Sequence, residues 1–427
     1  MQAVVLAAGM GKRMRSRHPK VLHEIFGRPV LATVLETLVR IGVRRPLVVI
    51  GNGADEVRGF LKNWCRGDSR IAPTWVLQRP QRGTGHAVMT AAAALRKSGD
   101  PVLIWPADTP LLQASTLRRF IRHHEEGDYE ASVLSALQLE PRGYGRILRA
   151  GGSFYAIREE LDASESEKKV QEVNTGVYLF KAACLLEALG RIRPVNKKKE
   201  FYLTDTIELV SKQRAKLEAF PFAASWEARG INSRKHLAEV IQGVNKRQIE
   251  DHQHRGVTFI APDQTFVGPE VRIGQDTVIY PWCYIESGVR IGRDCQIGPF
   301  AKIRKGTTID DGAVIGSFVE VARSHIGKKV LAKHLTYLGD AEVGAGTNVG
   351  AGTITANFDG KNKRKTHIGK KVLIGSNTVF VAPVHVGDEA RTGAGAVVTR
   401  GSRVKRREVV VGVPARPLRE KTRRVKK

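Results

Sequence analysis

The sequence predicts an α/β protein in two parts: a doubly wound, mostly parallel sheet at the N-terminus, then a β-helix of short stacked coils. Two observations carry this. Residues 1 to about 230 alternate short apolar runs with helical patterns, the signature of βαβ units. From Ile273 onward every sixth residue is aliphatic through Val321, and six is the period of neither a helix nor a simple strand.

In the first part strands are expected over 2–6, 47–50, 101–105, 130–137 and 173–180, and helices over Thr84–Lys97 and Ser115–Glu126. Such a Rossmann-like sheet binds ligands beyond the carboxyl ends of its strands. The N-terminal domain is expected over 1–232. Leu237, Val240, Ile241 and Val244 then mark one amphipathic linker helix within 233–256.

The repeat domain is expected over 257–412. Its first register is Ile273, Ile279, Ile285, Ile291, Ile297, Ile303, Ile309, Ile315 and Val321; a second is Ile368, Ile374, Phe380, Val386, Thr392 and Val398. One flat coil cannot bury its apolar face alone and must stack on the next, so the pattern predicts a left-handed parallel β-helix of hexapeptide repeats. Thr355–His367 interrupts the register with a polar, basic loop that the stack must expel outward.

Composition narrows the class. The 427 residues are 42% hydrophobic and 26% charged, which fits a globular chain with two or three cores. No apolar run is long enough to span a membrane and the N-terminus does not read as a signal peptide. Cys65, Cys184, Cys283 and Cys295 form no CxxC pair, so a reducing cytoplasm is expected. The net charge is +28, and twelve Lys and Arg against two Glu from Thr399 onward concentrate +10 at the basic end, including a tail over 413–427. Without aromatic residues to stack on bases, that tail reads as solvated rather than as a nucleic-acid arm.

The first strand runs into Leu6, Ala7, Ala8, Gly9, Met10, Gly11, Lys12 and Arg13, then Pro19 and Lys20. Two glycines after a strand let the backbone approach a phosphate, and Arg13 and Lys20 are placed to neutralise one. The P-loop and dinucleotide patterns are both absent. Taken with Pro19-Lys20, LAAGMGKRM resembles the sugar-phosphate nucleotidyltransferases. Gln78 with Gly83 and Thr84 in GTGHA resembles the base-reading segment of the uridylyltransferases. Asp108, after Pro106 and Ala107, stands where that family places a magnesium-binding aspartate, and Asn232 where it places the second ligand. Gly145, Glu159 and Asn174 match positions that hold the sugar. The resemblance implies Mg2+ on Asp108 and Asn232 and attack of a sugar 1-phosphate on UTP. Arg13 and Lys20 would act on the leaving pyrophosphate, without a protein nucleophile.

Within the coils, GPFAKIR (298–304), Phe318-Val319-Glu320, KHLTYLGDA (333–341), NVGAGTITANFDG (348–360) and IGSNT (374–378) break the repeat. With the N-terminal half, these make nearly the whole chain similar to the bifunctional enzymes that are both glucosamine-1-phosphate N-acetyltransferases and N-acetylglucosamine-1-phosphate uridylyltransferases. By that likeness His334 is the general base on the sugar amine, Arg304 holds the sugar phosphate, and Tyr337, Asn348, Asn357 and Phe358 surround the sugar. Ala351, Ser376 and Ala394 line the acetyl-CoA channel. A homotrimer with acyl sites between subunits is implied.

Three positions depart from the family: Ala322 stands for its phosphate lysine with Arg323 next door, Phe358 for a tyrosine, and Gly412 for an arginine with Arg416 close by. Two alternatives follow. One is a uridylyltransferase with altered or lost acyl transfer; the other is a basic scaffold or nucleic-acid-binding protein.

Overall fold

The computed structural model describes residues 1–67, 71–96 and 101–418. Lys97, the last residue of the helix expected from Thr84, and positions 419–427 of the basic tail lie outside them. The chain divides into two compact units, Met1–Ile241 and Gln242–Lys427.

In the first unit the sheet strands are β1 (Gln2–Ala7), β2 (Leu47–Ile50), β3 (Thr74–Leu77), β4 (Val102–Pro106), β5 (Ala131–Leu137), β6 (Arg146–Ala150), β7 (Ser153–Arg158), β8 (Glu172–Phe180) and β9 (Leu217–Ala223). They are ordered β9-β5-β8-β4-β1-β2-β3, with β6 paired to β8 and β7. Strands β4, β1, β2 and β3 are parallel, as are β9 and β5, while β8 runs antiparallel to both its neighbours.

Helices cover both faces because successive strand residues point to opposite sides. Ala3, Val5 and Ala7 of β1 pack with Val48, Trp105 and the apolar stripes of helices α1 (Val30–Arg40), α2 (Ala54–Gly67) and α4 (Ala114–Glu126). Val4, Leu47, Val49, Val102 and Ile104 pack on the other side with α3 (Thr84–Leu95), α5 (Ala182–Arg191) and α6 (Asp205–Lys212). The doubly wound expectation is met. A 20-residue helix, α7 (Arg234–Gln253), occupies the stretch read as the linker.

In the second unit the six-residue period becomes geometry. Successive aliphatics fall on three faces in turn, so residues eighteen apart stack: Ile279 pairs with Ile297 and Ile297 with Ile315 on the first face. Ile285, Ile303 and Val321 do so on the second, and Ile273, Ile291 and Ile309 on the third. All nine are buried in one continuous core. Full burial of each such side chain contributes about 1.5–3 kcal/mol, gained only through the stack.

Ile368, Ile374 and Phe380 resume the column after the outward loop, because Val343 pairs with Ile368 and Val349 with Ile374. The tail expected from residue 413 begins within the last coil: Arg416–Pro417 folds back antiparallel on Val410–Val411. Among the described residues no helix is long and apolar enough to cross a membrane.

Candidate functional sites

An open cleft of about 250 Å³ lies beyond the carboxyl end of β1. Leu6, Ala7, Ala8, Gly9, Lys20, Gln78, Gly83, Thr84, Pro106 and Asp108, all positions that the resemblance singles out, line it. Met10 and Ala87, quoted within motifs without a role, line it too, as do Val21, Gln81 and Glu200, which were not anticipated. Ala107 is buried and instead donates its backbone N–H to Leu6 O at 3.0 Å, locking the end of β4 to β1. Arg13 is exposed and does not line the cleft.

The loop after β1 is shaped by glycine. Gly11 has φ +58°, and a Cβ there would come within 3.0 Å of Lys20 Cβ. Gln81 Nε2 donates to Ala8 O at 2.7 Å and pins the loop. At the opposite wall Gly83 precedes α3 with φ +105°, its missing side chain filled by Phe201 O at 2.5 Å from the Cβ position.

Buried Gln78 spends its amide nitrogen on Gly83 O, at 3.0 Å, and on His86 Nδ1, at 3.1 Å. Burial, then Arg82, hold the His86 imidazole below its ordinary pKa, which suits a neutral ring accepting at Nδ1.

Asp108 and Asn232 are far apart in the chain yet converge. Ile231 N–H donates to Asp108 O at 2.8 Å, so the backbone itself ties the two segments. Their side chains meet the Lys20 ammonium: Nζ pairs with Asp108 Oδ2 and donates to Asn232 Oδ1 at 3.2 Å. One carboxylate and one amide oxygen focused on a cation fit a hard divalent ion that takes its remaining ligands from phosphate and water. Among the described residues no three His, Cys, Asp or Glu side chains converge as a ready-made metal cage.

Asn174 N–H donates to Gly145 O at 2.9 Å, and the Asn174 side chain is held between Tyr178 Oη, at 2.7 Å, and Gly176 N–H, at 2.8 Å. Glu159 accepts from Thr204 Oγ1 at 3.3 Å, and burial pushes its pKa up. Arg146, beside Gly145, is buried and ion-paired with Glu160 at 2.7 Å, so it supports the loop rather than facing a ligand.

In the coil unit, His334, Ala351, Ser376 and Ala394 prove to be one column. Each is the residue before a left-handed corner, at Leu335, Gly352, Asn377 and Gly395 respectively. Backbone bonds climb the corner: Leu335 N to Ser317 O, Gly352 N to Leu335 O, Asn377 N to Ala351 O and Gly395 N to Ser376 O, all between 2.7 and 3.1 Å. His334 is exposed.

Arg304 and Asn357 flank the next corner, beyond the second face, and Tyr337 lies on that face. Arg304 pairs with Glu320 at 3.1 Å and Glu286 at 3.6 Å. Asn357 donates to Asp340, which Arg323 also grips. Asn348 stands on the first face, in register with Leu331 and Leu373, and Phe358 is exposed at the mouth of the outward loop. In one chain, therefore, the His334 column and the Arg304–Asn357 cluster stand on different corners. Asp340, a centre of the second cluster, was quoted in a motif without a role.

Known proteins resemble the chain at three levels: family models, curated relatives and solved structures. The MobA-like NTP transferase domain family matches residues 3–176. The bacterial transferase hexapeptide family (six repeats) matches 270–305, 288–323 and 365–400. "Bifunctional protein GlmU" of Syntrophotalea carbinolica is 41% identical over 434 residues, covering 94% of this chain and 92% of that protein. Its counterpart of Carboxydothermus hydrogenoformans is 41% identical over 433 residues, covering 93% and 95%. A solved UDP-glucose pyrophosphorylase complexed with UDP-glucose aligns at TM-score 0.48 and 18% identity, over 58% of this chain and 98% of that one.

Proposed function

The chain belongs to the family of bifunctional GlmU proteins, and from that membership we propose how its residues divide two reactions. It joins a nucleotidyltransferase to a hexapeptide acyltransferase and makes UDP-N-acetylglucosamine. Acetyl passes from acetyl-CoA to glucosamine 1-phosphate, and the product then takes a uridylyl group from UTP.

In the second reaction an oxygen of the sugar phosphate attacks the α-phosphorus, and the bond to pyrophosphate breaks. Gln78 receives the base, with Gly83 and Thr84 behind it. The Leu6–Gly9 backbone and Lys20 carry the phosphates, Gly145, Glu159 and Asn174 orient the sugar, and Arg13, outside the cleft lining, would have to swing inward to act on the departing pyrophosphate. Asp108 and Asn232 would hold Mg2+, which supplies charge neutralisation between the two phosphates. Holding reactants in line and spreading charge is sufficient chemistry here. The observation that carries this reading is the convergence of Asp108 and Asn232 on one cation at the rim of the cleft.

For acetyl transfer His334 takes the amine proton as the nitrogen attacks the thioester, and the thiolate of CoA leaves. Ala351, Ser376 and Ala394 run along the same edge and would lie against the coenzyme. Arg304, with Tyr337, Asn348, Asn357 and Phe358, would hold the amino sugar. Because these groups occupy different corners of one chain, a site shared between copies is the natural completion, and a homotrimer is proposed. The exposed stripe of Trp282, Phe300, Phe318 and Leu335 on the His334 corner supports burial against another copy. Free thiols at Cys184, Cys283 and Cys295 support a reducing cytoplasm.

The test is an assay of both half-reactions on the purified chain. Pyrophosphate release from UTP should require Mg2+ and N-acetylglucosamine 1-phosphate, and CoA release should require glucosamine 1-phosphate. Absence of the first defeats the metal-site assignment; absence of the second alone favours a uridylyltransferase with lost or altered acyl transfer.

A further inference from the structure

Lys20 lines the nucleotide cleft, yet its ammonium is spent on Asp108 and Asn232 rather than turned toward the phosphate loop. We propose that Lys20 is a built-in counter-cation that fills the divalent-ion position until a nucleotide arrives, so that the ion enters together with the nucleoside triphosphate and not before it. This rests on the assignment of Asp108 and Asn232 as the metal pair.

Three features support it. The Lys20 and Asp108 side chains are only 12% and 23% exposed, so this carboxylate is largely withdrawn from water and needs a positive partner in the free enzyme. The protein offers the ion one carboxylate and one amide, against the octahedral set of oxygens that a magnesium ion demands, so the bare ion gains little by displacing a lysine. The base of Lys20 is fixed while its stem is not. Pro19 precedes it, the turn Lys20–Leu22 follows, and Gly11 packs on its Cβ, but the four-carbon stem can swing Nζ from Asp108 to a phosphate in the same cleft. Arrival of a triphosphate would then do two things at once: draw Lys20 away, and supply the oxygens that complete the vacated position. The lysine has alternative partners in the two states, which makes nucleotide and ion binding mutually reinforcing.

The experiment uses the full-length chain and Mn2+ as a paramagnetic probe, titrated by electron paramagnetic resonance without nucleotide or sugar. Wild type should bind weakly at this site, and Lys20→Met and Lys20→Gln should each bind Mn2+ at least tenfold more tightly. Lys20→Arg, which keeps a cation there, should stay weak. Lys12→Met, which removes a charge of the same loop, should match wild type. The proposal is overturned if neither neutral variant tightens binding, or if Lys12→Met tightens it as much. Asp108→Asn in the Lys20→Met background separates the two readings: if tight binding survives without that carboxylate, the metal pair itself is wrongly placed.

Discussion

Arg323 grips Asp340 with two hydrogen bonds of 2.8 Å, Nε to Oδ1 and Nη2 to Oδ2, and Asp340 also receives the Asn357 amide. The pair bears on the position next door, where the resemblance expects a lysine and the chain has Ala322. Ala322 itself is buried, and the neighbouring arginine is already committed as a fork on a carboxylate. Arg323 thus supports Asn357, and Arg304, itself paired with Glu320 and Glu286, remains the cation proposed for the acceptor's phosphate.

Arg304→Ala should therefore raise KM for glucosamine 1-phosphate by ~10- to 100-fold, since one charge-assisted contact contributes about 1.5–3 kcal/mol. Arg323→Ala should raise it less, through a loosened Asn357, with partial rescue by Arg323→Lys. Equal effects of the two substitutions would contradict this division, and CoA-release kinetics measure it.

The two chemistries should separate cleanly. Asp108→Asn should lower uridylyl transfer by at least ~100-fold and leave acetyl transfer intact. His334→Ala should lower acetyl transfer by ~10²- to 10⁴-fold and spare uridylyl transfer. Pyrophosphate and CoA release from the same preparations give the comparison.

Gly83→Ala should damage the nucleotide site without touching the coils. Its φ of +105° is one that side chains rarely adopt, and the new Cβ would press on Phe201 O. A cost of about 1–3 kcal/mol in the first unit and a raised KM for UTP are expected, read by thermal unfolding and initial rates.

Asp205 gives a pH signature. Burial, then the neighbouring Glu159 and Glu208, push its pKa up to about 6, above the ordinary 3.8. The folded chain thus binds this proton more tightly than the unfolded one. The corresponding stability is full below about 3.8, falls as pH rises toward 6, and stays lost above it. Asp205→Asn should raise the melting temperature at about pH 8 and give no gain near pH 4. A larger gain at acid pH would invert the assignment.

The sequence by itself determined the repeat, because a coil that buries one residue in six writes its period directly into the chain: Ile273 through Val321 could hardly serve any other stack. It also marked most of the lining of the cleft beyond β1, where Leu6–Gly9, Gln78, Gly83 and Asp108 sit at strand ends or in glycine turns that leave local marks. Gln81 stands three residues after Gln78 and could have been found by that spacing; Glu200 leaves no local trace, since the fold alone brings it to a cleft built by residues much earlier in the chain. Only tertiary structure decided that Asp108 and Asn232 meet on the Lys20 ammonium. It likewise decided that Arg323 belongs to Asp340, and that His334, Ala351, Ser376 and Ala394 are one column. These are relations of register and side-chain direction, set by backbone bonds between distant segments, and a linear pattern records which residues are present but not which of them the packed backbone turns toward one another.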